Sequence, residues 1–350
     1  MTAGDIGDQL SGWFAGQLAG AEKVRIDNID QVTFGHSAEM MLLTLGWQAD
    51  GEDQHRDVVL RACPELPWLL EPYDLRLQFD ILRALAGTPV RAPRALWIEE
   101  TGTVLGRPFY VMERLPGTVY EQRIPKELKQ APDRVRRMAE RVIEQVAAIH
   151  LTDLHATGLD RLGDGRDYLD RELDRWDGQV SRWQSEPIPG LARLSAELRA
   201  RQPAMSPRAT LVHGDPKGGN FAFSGDEVTG VFDWEMAAIG DPMADIGWAE
   251  VTWRSTLPFS MLSAPEMTRL LVRYQELTGI RVHHRPWHRA MQAYKMAVIM
   301  LTGAMLFRGG FTSDTRFAAI AAYGPPITAL GLRELDPDLR ANDVDAGWPD

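Results

Sequence analysis

The stretch Leu211–Glu235, LVHGDPKGGNFAFSGDEVTGVFDWE, restricts the possible folds of this chain more than any other segment. His213-Gly214-Asp215 is followed five residues after the aspartate by Asn220, and thirteen residues later by Asp233, with apolar runs on either side. The spacing predicts a tight loop and then a β-hairpin. Asp215 closes the strand-like run TLVHG and Asn220 opens NFAF. The turn Ser224-Gly225-Asp226-Glu227 then reverses the chain into VTGVFDW, which returns Asp233 to the end that carries Asn220. Three oxygen-bearing side chains are therefore expected to gather. Such a set suits phosphoryl transfer, which needs a carboxylate to orient an acceptor hydroxyl and oxygen ligands to hold divalent cations against phosphates. The alternatives are a structural turn at HGD, an ordinary strand end at Asp-Trp-Glu, or a dinuclear phosphoesterase. The last lacks the further His and Asp ligands it would need near Asp215 and Asn220.

These residues resemble the catalytic loop and metal-binding aspartate of the aminoglycoside phosphotransferase family, which shares the protein-kinase-like fold. The run Ile239-Gly240-Asp241-Pro242-Met243-Ala244-Asp245-Ile246 is similar to the segment after the metal aspartate in phosphotransferase domains associated with acyl-CoA dehydrogenases, a better match than the antibiotic-resistance enzymes. The resemblance implies an α+β, bilobal fold: a β-rich nucleotide-binding lobe over 1–117, a mostly α-helical lobe with catalytic hairpins over 118–335, and an acidic tail over 336–350. It implies ATP and Mg2+ as cofactors, Asp215 orienting the acceptor hydroxyl, and Asn220 and Asp233 as metal ligands. Lys217 lies close enough to offset charge on the moving phosphoryl group, a solvated loop lysine being the alternative. Glu235 would join Asp233 as a ligand if the strand persists across Trp234. His213 is expected to brace the loop, Asp241 and Asp245 to act as a cap and a loop brace, and His150 to be packing.

The order of strand-like runs between Val24 and Gly117 (QVTF, EMMLLTLGW, DVVLRA, RALWIEE, PFYVMERL), with one helical run from Tyr73 to Ala86, is also similar to a kinase-like small lobe. Such a lobe normally carries a strand lysine paired with a helix glutamate. No lysine occurs between Lys23 and Lys126. DVVLRA offers Arg61, which can grip phosphate oxygens through two parallel hydrogen bonds, and the helix offers Gln78 in place of glutamate. Arg61 then either leans wholly on phosphates or is compensated by Glu39 or Asp80. Phe34–Glu39 lies where a glycine-bearing turn covers phosphates, with Ser37 the candidate contact; an ordinary hairpin is the alternative. Pro108–Leu115 resembles the hinge, with the backbones of Glu113 and Leu115 as adenine contacts.

Beyond Pro125 the periodicity is helical: Glu127–His150, Gly165–Ser185, Asp241–Trp253, Ala264–Thr278, Pro286–Phe307, and Phe311–Leu332 broken at Pro325-Pro326. Trp248, Trp253, Trp287, Met291, Tyr294, Met296, Met300, Met305 and Phe307 read either as core or as the lining of an apolar acceptor pocket. Arg254, Arg269, Arg273, Arg285 and Arg289 argue against a polycationic guest. The expected partner is a small molecule bearing a hydroxyl, with an apolar or acyl-linked body. A net charge of -11 argues against nucleic acid. A single cysteine, Cys63, and an N-terminus with no basic-then-apolar leader point to a cytoplasmic protein, and no stretch reads as apolar enough to span a membrane. The competing reading is a nucleotide-binding kinase-like scaffold without turnover, on the strength of the missing lysine and Gln78.

Overall fold

The computed structural model describes residues 3–32, 39–121, 123–183, 188–312, 314–336 and 338. The glycine-bearing turn with Ser37, and nearly all of the acidic tail, lie outside these. The chain divides into two compact units, Met1–Ala86 with Ala92–Leu115, and Gly87–Arg91 with Pro116–Asp350.

The first unit is a five-stranded antiparallel sheet with two helices. Its elements are α1 (Ala3–Gln17), β1 (Glu22–Val32), β2 (Glu39–Ala49), β3 (Glu52–Ala62), α2 (Leu75–Leu85), β4 (Ala95–Glu99) and β5 (Phe109–Glu113), with strand order β1-β2-β3-β5-β4. Alternation along β2 and β3 sends Met41, Leu43, Leu45, Val58, Leu60 and Ala62 into one core with Leu10 and Phe14 of α1. The sequence reading overlooked α1, although Ile6, Leu10, Trp13 and Phe14 recur at helical spacing. The same alternation turns Arg61 away from that core. It pairs across the ladder with Tyr110, whose ring packs on Phe79 of α2.

The second unit is mostly helical. Its elements are β6 (Thr118–Val119), α3 (Lys126–Lys129), α4 (Pro132–His150), α5 (Tyr168–Trp183), α6 (Leu191–Ala200), β7 (Thr210–Val212), β8 (Phe221–Ser224), β9 (Glu227–Val231), β10 (Ala238–Gly240), α7 (Met243–Thr252), α8 (Ala264–Thr278), α9 (Arg285–Arg308), α10 (Arg316–Ile320) and α11 (Gly324–Glu334). α9 packs against α5, α6, α7, α10 and α11. α6 lies outside the helical runs expected from the sequence, and several boundaries shift. The final helical run breaks at Ala321–Tyr323, and Pro325 and Pro326 open α11 instead of interrupting a helix. Proline suits a first turn, where its missing N–H has no partner to lose. α9 also corrects the expectation about membrane-spanning stretches, since its length and composition would allow a span. Yet 72% of its most apolar stretch is buried inside this unit, as expected of a central core helix.

Candidate active site

The catalytic-loop candidates sit where the second unit's two small sheets begin and end. β7 pairs with β10, β8 pairs with β9, and the register Phe221↔Val231 brings both ends of the hairpin level. The Phe232 N–H donates to the Asn220 carbonyl at 2.9 Å, so Asp233 follows directly beside Asn220. The predicted hairpin therefore forms.

Asp215 is buried, with three donors on its carboxylate. Trp248 Nε1 donates to Oδ1 at 2.5 Å, Asn220 Nδ2 donates to Oδ2 at 2.9 Å, and Lys217 Nζ lies 3.0 Å from Oδ2. A carboxylate has about four lone-pair sites, so one on Oδ1 stays open to a hydroxyl. Asn220 Nδ2 also donates to the Asp215 carbonyl at 2.7 Å. With its amide nitrogen held by two acceptors, its Oδ1 is turned the other way, as a metal-ligating oxygen must be. Burial alone would lower the pKa of Lys217, but the fields of Asp215 and Asp233 and the bond to Asp215 outweigh it and raise it. The ammonium stays charged where phosphoryl oxygens would need it.

Asp233 adopts a left-handed conformation, φ 68°, and a single 3-10 turn, Trp234–Met236, follows it. Aspartate tolerates that region better than most side chains. The strand has therefore ended before Asp233, and the alternation that would have aligned Glu235 with it does not hold. Among the described residues no group of three or more His, Cys, Asp and Glu side chains gathers as a metal cage. Asn220 and Asp233 alone fit Mg2+, which commonly takes one or two protein ligands and completes its shell with waters and phosphate oxygens.

The loop is braced from beneath. Buried Asp245 accepts the N–H groups of His213 at 2.8 Å and Gly214 at 2.7 Å, and its Oδ2 lies 2.9 Å from His150 Nε2, whose Nδ1 lies 2.6 Å from the Tyr274 hydroxyl. His150 is thus a polar link and more than packing. His213 Nδ1 accepts the Asp215 N–H at 3.2 Å, so its Nε2–H donates to the Phe232 carbonyl at 2.9 Å. Asp241 precedes the N-cap residue Pro242 of α7, accepts the Met243 N–H and holds Ser206. Gly214 has φ +83°, and a Cβ there would collide with the Met236 carbonyl, so no other residue fits.

In the first unit, buried Arg61 donates through Nε to the Tyr73 hydroxyl at 3.2 Å. The two carboxylates considered as its compensation have arginine partners of their own: Glu39 pairs with Arg107, and Asp80 with Arg76. Gln78 is buried, its Nε2 donates to the Asp74 carbonyl, and its Oε1 has no hydrogen-bond partner among the described residues. The Glu113 N–H is committed to the Arg94 carbonyl at 2.9 Å. Leu115 ends this unit.

For the acceptor, the structure favours the core reading of the aromatic residues, and the arginine argument needs a correction. Trp248, Trp253, Trp287, Met291 and Tyr294 are buried core residues, whereas Met296, Met300, Met305 and Phe307 are half-buried. Arg285 and Arg289 pair with Glu250, and Arg289 also with Glu334, inside the core; their charges are spent on α7 and α11 and cannot repel a guest. A cavity of about 580 Å3 between α4 and α8, lined by Arg136, Arg273, Glu144 and Glu266 among others, contains none of the loop residues. The sequence places Trp248 only as core or pocket lining, and assigns Lys295 no role. The visible signal was a lone lysine inside the apolar run Ala290–Met300.

A β-sheet unit, a helical unit and a loop of this geometry define a protein-kinase-like fold. A family model described as the phosphotransferase enzyme family matches residues 46–285, well over half of the chain. Acyl-CoA dehydrogenase family member 10 of Mus musculus is 33% identical over 209 residues, covering 59% of this chain and 19% of its own length. Acyl-CoA dehydrogenase family member 11 of Rattus norvegicus is 28% identical over 329 residues, covering 90% of this chain and 41% of its own length. The chain spans well under half of these relatives. A solved Ralstonia eutropha protein, provisionally described as an aminoglycoside phosphotransferase, superposes with TM-score 0.73 at 23% identity, covering 94% of this chain and 97% of that one. Aminoglycoside phosphotransferase APH(4)-Ia, in a ternary complex with AMP-PNP and hygromycin B, superposes with TM-score 0.61 at 16% identity, covering 95% and 99%; both likenesses establish the fold. The chain belongs to the phosphotransferase enzyme family, in the branch shared with acyl-CoA dehydrogenase family members.

Proposed function

We propose that this protein is an ATP- and Mg2+-dependent phosphotransferase that moves the terminal phosphoryl group onto a hydroxyl of a small molecule. The observation that carries the reading is Asp215, which holds three donors and keeps one lone pair on Oδ1 for an acceptor O–H. Asn220 Oδ1 and Asp233 are the residues that would hold Mg2+, which would supply positive charge to offset that of the phosphates. Asp215 aligns the hydroxyl, and Lys217 balances charge on the oxygens of the transferred group. Arg61 is assigned to the inner phosphates and the backbones of Glu113 and Leu115 to adenine, with Ser37 kept as a candidate phosphate contact. The AMP-PNP complex of APH(4)-Ia supports the choice of nucleotide.

For the acceptor, the names of the acyl-CoA dehydrogenase relatives favour a hydroxylated compound with an apolar or acyl-linked body over an aminoglycoside. A cytoplasmic setting belongs to the same reading, supported by the single cysteine. The second reading, a scaffold that binds nucleotide without turnover, draws on Gln78, whose neutral amide replaces the expected glutamate. The two separate on ADP release from MgATP across a panel of hydroxy acids and hydroxyacyl thioesters, with 31P detection of the product. Asp215→Asn should lower kcat about 10²- to 10⁴-fold, the range for a positioned carboxylate. Full turnover in that variant would sink the reading.

A further inference from the structure

Lys295 has no place in the chemistry described so far, and its surroundings are unusual for a lysine. It lies on the central helix α9 and is 3% exposed. Its Nζ donates to the Gly214 carbonyl at 2.6 Å, 4.4 Å from the centre of the Trp248 ring and 5.7 Å from that of Trp176. A buried ammonium with one carbonyl acceptor and two indole faces is poorly solvated. Burial duly pulls its pKa below the ordinary lysine value, against the opposing fields of Glu172 and Asp215. Retaining such a costly group in a core helix calls for a purpose beyond packing.

What it touches supplies the purpose. Both peptide groups of Gly214 are held, the one before it through its N–H by Asp245 and the one joining it to Asp215 through its carbonyl by Lys295. The Trp248 indole under the ammonium donates its N–H to Asp215 Oδ1. A cation over an indole face draws electron density from the ring and makes that N–H a stronger donor. Oδ1 is also the oxygen with the open lone pair. We propose that Lys295 and Trp248 form a positioning pair for Asp215: Trp248 fixes Oδ1 so that its remaining lone pair meets the acceptor hydroxyl, and Lys295 holds both the indole and the preceding peptide group in place. The inference rests on the phosphotransferase reading and adds two residues, 33 and 80 positions downstream of the aspartate, that reach it only through α7 and α9.

The test uses two variants and two readouts. Trp248→Phe keeps a ring beneath the ammonium and removes only the N–H; Lys295→Met keeps the length and removes the charge. In the 15N–1H spectrum of the full chain, the indole resonance missing from Trp248→Phe is that of Trp248, and it should move in both Asp215→Asn and Lys295→Met. In MgATP turnover with the hydroxyacyl panel, Trp248→Phe should lower kcat about 10- to 100-fold, as for one hydrogen bond to a charged group, with KM for ATP unchanged. A residue that merely filled the core would lower melting temperature and nucleotide affinity together and spare this split. An indole signal indifferent to Asp215→Asn, or wild-type kcat in Trp248→Phe, overturns the pairing. Wild-type protein without turnover defeats the phosphotransferase reading instead, and the spectrum still decides the pairing.

Discussion

Replacing Asp245 by asparagine removes the brace of the catalytic loop while hardly changing volume. The carboxylate is fully buried and accepts from His213 N, Gly214 N and the His150 ring at 2.7–2.9 Å. Asparagine offers one oxygen and an NH2 group. The least costly placement turns Nδ2 toward Gly214, where donor then faces donor, and leaves the oxygen to serve His213 and His150 without its charge. One buried N–H is orphaned, at about 1–3 kcal/mol, and two charge-assisted bonds weaken. The sum is about 3–5 kcal/mol, in the range seen when one member of a buried ionic group is removed. For a unit of this size that lowers the melting temperature by on the order of 10 °C.

The pH dependence gives a second check on the same variant. Burial alone would raise the Asp245 carboxyl, but the His150 hydrogen bond, the fields of His150 and His213 and the His213 N–H outweigh it, and its pKa is depressed. A carboxylate depressed in the folded state contributes stability that is present above its unfolded value and is lost as pH falls through the folded one. Calorimetry should therefore show the wild-type advantage over Asp245→Asn in full at pH 7, shrinking as the pH drops below about 4, the ordinary aspartate value. A difference that stays constant across that range, or melting temperatures that coincide at pH 7, would refute the bracing argument.

Gly214→Ala should be more damaging than an ordinary loop substitution, because it combines a left-handed φ with a collision at the Met236 carbonyl. A loss of about 2–4 kcal/mol in denaturant unfolding is expected, and an unchanged midpoint would show that the loop shifts freely. Arg61→Met should weaken ATP binding about 10- to 100-fold, the worth of hydrogen bonds to a charged group, read by isothermal titration in the presence of Mg2+. Unaltered affinity would make the role of Arg61 structural.

The parts of the site legible in the sequence were those written within one continuous segment. The D-x4-N loop and the hairpin that returns Asp233 depend on turn residues and alternation over a few positions, and both formed as predicted. The premise for Glu235, a strand persisting across Trp234, does not hold for a local reason: the strand ends at Val231 and Asp233 is left-handed. Arg285 and Arg289 failed for a distant one. Their partners, Glu250 and Glu334, lie on other helices, and no pattern within α9 says that its arginines are neutralised. α1 was legible and overlooked, because its small residues obscured the spacing of Leu10, Trp13 and Phe14.

The floor of the loop also explains why polar groups persist in a core that apolar residues could fill. Asp245, His150, Tyr274, Lys295 and Trp248 come from α4, α7, α8 and α9, and each contact is directional, unlike the packing around it. An apolar replacement could keep the volume and even improve stability. It would remove the donors and acceptors that hold the Gly214 backbone and Asp215 Oδ1 from below, leaving Asn220 and Lys217 on Oδ2 alone. Orientation at the reacting centre is worth several kcal/mol in rate, and a shift of about 1 Å can cost two orders of magnitude. The desolvation cost of Lys295 and Asp245 is therefore best understood as stability exchanged for the placement of one carboxylate oxygen. Apolar variants of this floor that fold more tightly should transfer phosphoryl groups more slowly.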